Sequence, residues 1–419
     1  MFNSLSQFAP LLTTLLLVLS GILALFMVAG LTLWQAGLVR SQNTVDVLVK
    51  NFALLAISCV VFLVCGGHLF FSEKTWLGIL PEFVFHFGST PGAQAIFFLQ
   101  FIIATILMSY VAGATAERLK PWSLFLFAVV MVGFIYPVLG YWVWHEGFLR
   151  DLGFVDMAGA GVIHLAGAAS ALAVVLLIGA RQGRYAKNGV ITSLRGGNIP
   201  LAAVGGFLIW IGFIGLNIGG TVLWDQAKGL TLIGPVVVNV CIAGAFGLLA
   251  AMVLARLLWG TLDLSIMING SMAGMVAISA FPIATLPASV GIVGTVAGVL
   301  VVFMIRILDR FKIDDPMGFI ASNLVGGVWG LLAVAFTGFY RDLETFSIGT
   351  SGWFSQLMAQ IFGIIVIFAW AFILSFVVCY LIRYFMGLRI GSHDEHMGLD
   401  ARDCGIDAYP EFIKTKVHR

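Results

Sequence analysis

Long apolar runs separated by short polar connections make up most of the chain. Runs near the 20 residues that cross a bilayer fall at 9–36, 49–72, 93–115, 122–145, 158–180, 197–220, 229–256, 263–281, 284–306, 318–338 and 354–386. The pattern predicts an all-α polytopic membrane protein, with about eleven transmembrane helices over residues 1–386 and a polar tail over 387–419. Basic residues orient it. Eighteen of the 22 Lys and Arg fall in one alternating set of loops and in the tail, among them Arg40, Arg118, Arg181, Arg310 and Arg389, while Lys74, Arg150, Lys228 and Arg341 fall in the other. Positive-inside bias then places the N-terminus outside and the tail in the cytoplasm, in a multi-pass protein of the cell (inner) membrane. No Lys or Arg precedes the first run, which is longer than a signal-peptide core and reads as a retained helix.

Composition narrows the classes. The chain is 60% hydrophobic and 10% charged, against about 45–50% and 25% in soluble domains, which excludes a soluble globular enzyme and a disordered chain. Five Cys, an odd count in a long chain, do not make a disulfide framework. Cys59, Cys65, Cys241 and Cys379 lie within apolar runs and read as small buried hydrophobes, and Cys404 lies in the tail. No phosphate-binding loop, nucleophile elbow or zinc-protease motif occurs, so no enzyme activity and no cofactor are expected. His68 and His86 fall near the outer face and His393, His396 and His418 in the tail, without metal-ligand company. A net charge of +2 points to no nucleic-acid partner.

An internal repeat marks the middle of the membrane. Asp156 precedes His164 by eight residues, and Asp315 precedes Asn323 by eight. A shift of 159 pairs Asp156 with Asp315, Gly159 with Gly318, His164 with Asn323 and Gly167 with Gly326. By the loop charges the two segments run in opposite directions, as in an inverted repeat of helices 1–5 and 6–10, so that His164 and Asn323 approach each other at midmembrane. Each Asp stands just before an apolar run, where a carboxylate caps free N–H groups; a structural role is favoured over substrate contact. His164 is an ionisable group at membrane depth, which points to a pathway residue, with a neutral His bonded across a helix interface as the alternative.

The sequence resembles the ammonium transporter (Amt) family over nearly its whole length. The resemblance rests on Asp156-Met-Ala-Gly-Ala-Gly-Val-Ile-His164, Ala116-Glu117-Arg118, Gly215-Leu-Asn217, Asp314-Asp315-Pro316, and the tail elements Gly387-Leu-Arg389, Gly398-Leu-Asp400 and Ala408-Tyr409. It implies a homotrimer with one narrow pore per subunit, an outer ammonium recruitment site, two stacked Phe rings below it, and two touching His at midpore. It also implies a cytoplasmic tail that couples subunits and meets PII-type regulators.

Several of those positions differ here. The family's Phe-Gln-Gly-Ser-Phe reads Leu99-Gln100-Phe101-Ile102-Ile103, which puts Ile103 in place of a gate Phe; the other gate Phe falls on Leu216. The recruitment Ser falls on Gly220 and its neighbouring Trp on Phe213, while Trp144 and His164 are kept and the second His falls on Asn323. Two lost rings weaken cation–π support, worth roughly 0.5–2 kcal/mol each. Asn offers a carbonyl and an amide but does not titrate, which removes a proton relay. The resemblance therefore implies either an ammonium receptor, alone or with a fused or downstream signalling module, or a conducting transporter with a modified pore. Ammonium is the expected ligand, methylammonium a weaker one.

Overall fold

The computed structural model describes residues 2–71, 91–145, 147–186, 190–194, 196–225, 229–336, 350 and 352–410. Lys74, His86, Lys228, Arg341 and His418 lie outside them. Every apolar run contains a helix, and the described residues hold no strand beyond two isolated bridges. In chain order the helices are α1 (Phe2–Leu38), α2 (Thr44–Val61, continued through a π turn to Gly67–Phe71) and α3 (Pro91–Ala114). Next come α4 (Pro121–Val130 and Tyr136–Trp144, joined by a π turn), α5 (Ala160–Ile178) and α6 (Ile199–Trp224). They are followed by α7 (Ile233–Trp259), α8 (Leu264–Ile278), α9 (Pro287–Arg310), α10 (Phe319–Ala333), α11 (Trp353–Phe385) and the short tail helix α12 (Ser392–Met397).

Nine helices among the described residues are long and apolar enough to cross a membrane. The runs at 263–281 and 318–338 form shorter helices of 15 residues, α8 and α10. A capped loop takes up the start of each: Asp263 accepts from Ser265 N and Ile266 N ahead of α8, and Asp315 from Phe319 N and Ala321 N at the start of α10. Proline at the first position starts α3, α4 and α9, where its missing N–H costs no hydrogen bond.

Large side chains such as Phe52, Phe207, Leu257, Phe354 and Tyr384 are exposed along α2, α6, α7 and α11, the outer surface expected of a chain solvated by lipid or by partner subunits. Cys379 is buried, but Cys59, Cys65 and Cys241 are only half-buried, because they sit at the edges of these outward faces.

The two halves meet through equivalent helices. α1 packs closely on α6, with Gly30 against Gly205 and Ile209, and the first turn of α5 packs on α10. Met157 N and Ala158 N, just before α5, donate to Ala280 O and Ser279 O past the end of α8, whereas Asn269 Nδ2 near its start donates to Met317 O, just before α10. α5 and α10 therefore start at opposite ends of α8 and run antiparallel. Their entries share one conformation: Gly159 and Gly318 both adopt left-handed backbone, at φ 91° and 75°.

Candidate functional site

The side chains on α6 form a ladder from one end of the molecule toward its middle. Trp224, Gly220, Leu216 and Phe213 are spaced by four, four and three residues, so they lie on one face, and eleven residues of α-helix cover roughly 16 Å. The upper three rungs line a cavity of about 10 Å³ together with Gln100, Ile103, Trp144, Met157, Ala158, Ile163 and Leu223. That volume is at the lower limit for one water-sized species. Trp144 Nε1 donates to Asp156 O at 2.8 Å, which ties the indole to the loop before α5. Tyr136 donates to Gln100 Oε1, and Gln100 Nε2 has no protein partner.

Ile103 and Leu216, at the positions expected to form the gate, both line the cavity and are buried. Gly220 is not merely a Ser that was lost. A Cβ there would come within 2.6 Å of Ala158 Cα and 2.8 Å of Met157 O, so the loop before α5 occupies the space. Leu99, expected near the pore, lies against Gly219 of α6, because it is one helical position from the cavity-lining Gln100. Phe213, expected beside the outer site, lies a turn deeper and stacks on the His164 ring, with centroids 5.2 Å apart and planes 13° apart.

His164 and Asn323 are fully buried and in contact. His164 Nδ1 is 2.8 Å from Asn323 Oδ1 and 3.0 Å from the Tyr110 hydroxyl. Asn323 Nδ2 donates to Phe319 O at 2.8 Å, so Oδ1 is the atom turned toward the ring and can only accept. The network therefore assigns the proton to Nδ1 and leaves a lone pair on Nε2, which has no hydrogen-bond partner. Asp156 and Asp315 serve the backbone: Asp156 accepts from Gly159 N, Gly161 N and Val162 N at 2.8–3.1 Å, and Asp315 does the same for α10. His164 N donates to Gly159 O five residues back, and this π turn seats the ring against Asn323.

Residues 15–409 match the Ammonium Transporter Family. The chain belongs to that family. It is 33% identical to a putative ammonium transporter of Synechocystis sp. over 93% of this chain and 73% of that one, and 30% identical to ammonium transporter Amt2 of Archaeoglobus fulgidus over 94% and 88%. Among solved structures, a "Sensor Amt Protein" aligns with a TM-score of 0.87 at 27% identity, covering 95% of this chain and 99% of that one. Candida albicans Mep2 shares the fold at 22% identity, with a TM-score of 0.79 and coverage of 91% and 87%. Membership makes the chain a multi-pass membrane protein of a family of ammonium transporters, which are not enzymes. Among the described residues no group of three or more His, Cys, Asp or Glu is placed to hold a metal ion.

The family motifs Ala116-Glu117-Arg118 and Asp314-Asp315-Pro316 meet at the opposite end of the molecule, beside a cavity of about 520 Å³ lined in part by Trp34, Arg181, Arg184 and Asp314. Arg181 donates to both Asp314 oxygens, from Nε at 2.8 Å and Nη2 at 3.1 Å, and Arg118 Nη2 donates to Asp314 O at 2.7 Å. Glu117, at φ 68°, accepts from Arg40 N and Nε. Burial alone would raise the Asp314 carboxyl, but the charges of Arg118 and Arg181 and the bonds from Arg181 outweigh it and hold the group well below the usual carboxylate range.

The tail docks on this same end of its own chain. Arg389 donates to Ile178 O and Ala180 O at 2.7 Å each, past the end of α5, and pairs with Glu395 at 2.8 Å. Glu395 also accepts from Gln182 N, and Asp400 caps α2 by accepting from Asp46 N at 2.9 Å. Of the tail charges, Glu395 and Asp400 are thus buried contacts, whereas Asp394, Arg402 and Asp403 remain accessible.

The sequence pattern pointed to Trp144, His164, Asn323, Ile103 and Leu216, but not to Trp224 or Tyr110. An aromatic residue at a helix end is ordinary in membrane proteins, and Tyr110 reads as one more apolar position in α3.

Proposed function

We propose that this chain is an ammonium-binding membrane protein of receptor type, with impaired conduction, whose bound state is relayed through residues 387–419 as a distinct cytoplasmic tail. One observation carries this reading: the position opposite His164 holds an amide whose two ends are both engaged, Nδ2 on Phe319 O and Oδ1 on His164 Nδ1. The midpore pair can accept a hydrogen bond from an N–H ligand at Nε2, but it has no second titratable ring to receive a proton. The binding sequence is then Trp144 at the mouth, passage between Ile103 and Leu216, and His164 below. Likeness to a protein titled a sensor supports the same side.

The alternative is a conducting transporter, favoured by the wholly apolar constriction at Ile103 and Leu216, which suits neutral ammonia, and by relatives titled transporters. The exposed apolar faces of α2, α6, α7 and α11 leave surface suited to assembly as a homotrimer in the cell membrane. A PII-type regulator, or a fused or downstream signalling module, is the proposed partner of the tail.

Ligand choice tests the site. Calorimetry on the purified protein in mild detergent is expected to give binding heats for ammonium, weaker heats for methylammonium and none for potassium, which cannot donate to His164 Nε2. Equal heats for potassium and ammonium would contradict the site. Truncation after Arg389 removes Glu395 and Asp400 and so releases Gln182 N and Asp46 N, but it keeps the Arg389 bonds to the end of α5 and touches nothing near His164. The truncated protein is expected to keep its ammonium affinity within about twofold, while any downstream response is lost; loss of binding would make the tail part of the site.

A further inference from the structure

The mouth of the ladder already holds a cation. Arg150 lies on the short turn Phe148–Asp151 that follows α4, its guanidinium carbon 5.0 Å from the centre of the Trp224 ring. Its Nη1 donates to Trp144 O at 2.9 Å, so one side chain spans the two indole-bearing residues that line the cavity. Arg150 is also exposed, so its charge is not hidden in a structural core.

Two consequences follow from elementary physics. An indole face draws cations through its ring quadrupole, and a guanidinium stacked on it uses that attraction. A fixed positive charge a few ångströms from the cavity also repels any second cation entering there. The Trp224 face, which on composition alone would strengthen the outer site, is therefore screened from ligand.

We propose that Arg150 is a specificity-determining residue, a built-in cation that covers the outer face of Trp224, lowers the affinity of the mouth for ammonium and keeps larger alkylated ammonium ions out. The proposal rests on the reading of the cavity as the entry for ammonium. It differs from a purely structural role for Arg150 in one respect: removing the charge gains ligand binding instead of losing it. The hydrogen bond to Trp144 O is the structural part of the contact, and the charge over Trp224 is the selective part. Arg150→Gln keeps a donor for Trp144 O and deletes the charge, whereas Arg150→Ala deletes both.

The test is calorimetric titration of the parent chain, Arg150→Gln and Arg150→Ala with ammonium chloride and with tetramethylammonium chloride, the latter a cation that aromatic faces hold well and that cannot hydrogen-bond. Arg150→Gln is expected to bind ammonium at least about fourfold more tightly than the parent, the factor set by two unit charges about 5 Å apart in a water-like dielectric. It is also expected to acquire measurable tetramethylammonium binding that the parent lacks, and the gain should disappear again in Arg150→Gln with Trp224→Ala. If the parent binds ammonium and both Arg150 variants bind it equally or more weakly, with no tetramethylammonium binding, Arg150 is only a strut for the Trp144 carbonyl and the proposal is overturned. If neither the parent nor the variants bind ammonium, the reading of the cavity fails and this proposal fails with it.

Discussion

Replacing His164 by alanine is expected to weaken ammonium binding by at least about tenfold, and to the limit of detection if His164 supplies most of the site. The ring offers an acceptor at Nε2 that no protein donor occupies, and a hydrogen bond to a charged partner is worth about 1.5–3 kcal/mol. The same change strips Asn323 Oδ1 and the Tyr110 hydroxyl of the ring they meet, so nothing else in the pair takes over. Asn323→Ala should cost less, because it removes the group that fixes the tautomer and keeps the acceptor. Ammonium titrations of the three proteins by calorimetry check the order; equal affinity in the parent and His164→Ala would place the ligand elsewhere.

The second large effect concerns stability. Asp314→Asn leaves Arg118 and Arg181 buried without their main counter-charge, and a broken buried pair typically costs about 3–5 kcal/mol. The lower end applies here, since Glu117 stays within 3.5 Å of Arg181. Asp309→Asn, which breaks a partly exposed pair with Arg184, should cost under about 1 kcal/mol. Thermal denaturation in mild detergent should therefore separate the two variants clearly, and coincident midpoints would contradict the ranking. The sign with pH follows from the lowered carboxyl: the folded group ionises more readily than the unfolded one, near pH 3.9, so its stabilisation is fully present above that pH. It is lost as acidity increases below it, and Asp314→Asn should remove that part of the acid sensitivity.

How much of this was legible in the sequence depends on the range of the interaction. Helices were, because each needs only its own apolar run, and the Asp156–His164 and Asp315–Asn323 spacings exposed the repeat because both carboxylates cap their own helix. Side-chain direction was not. Leu99 and Phe213 were assigned by alignment with family motifs, yet Leu99 turns toward Gly219 and Phe213 lies against His164, since a single helical position rotates a side chain by about 100°. Glu395 and Asp400 sit in a charged tail like their solvated neighbours, and only their long-range donors, Gln182 N and Asp46 N, distinguish them. Arg150, on the turn after α4, and Trp224, the last residue of α6, come together from distant parts of the chain, a contact no local pattern encodes.

Binding without flux is the central claim, and solid-supported membrane recordings on proteoliposomes measure it most directly. The unmodified protein is expected to give no saturable ammonium-driven current at concentrations that saturate its calorimetric binding, while Asn323→His combined with Ile103→Phe and Leu216→Phe restores a titratable pair and an aromatic gate and gains current, if the cavity of about 10 Å³ relaxes to admit both rings. A robust, saturable current from the unmodified protein would contradict the receptor reading and leave a transporter that works with a single midpore histidine.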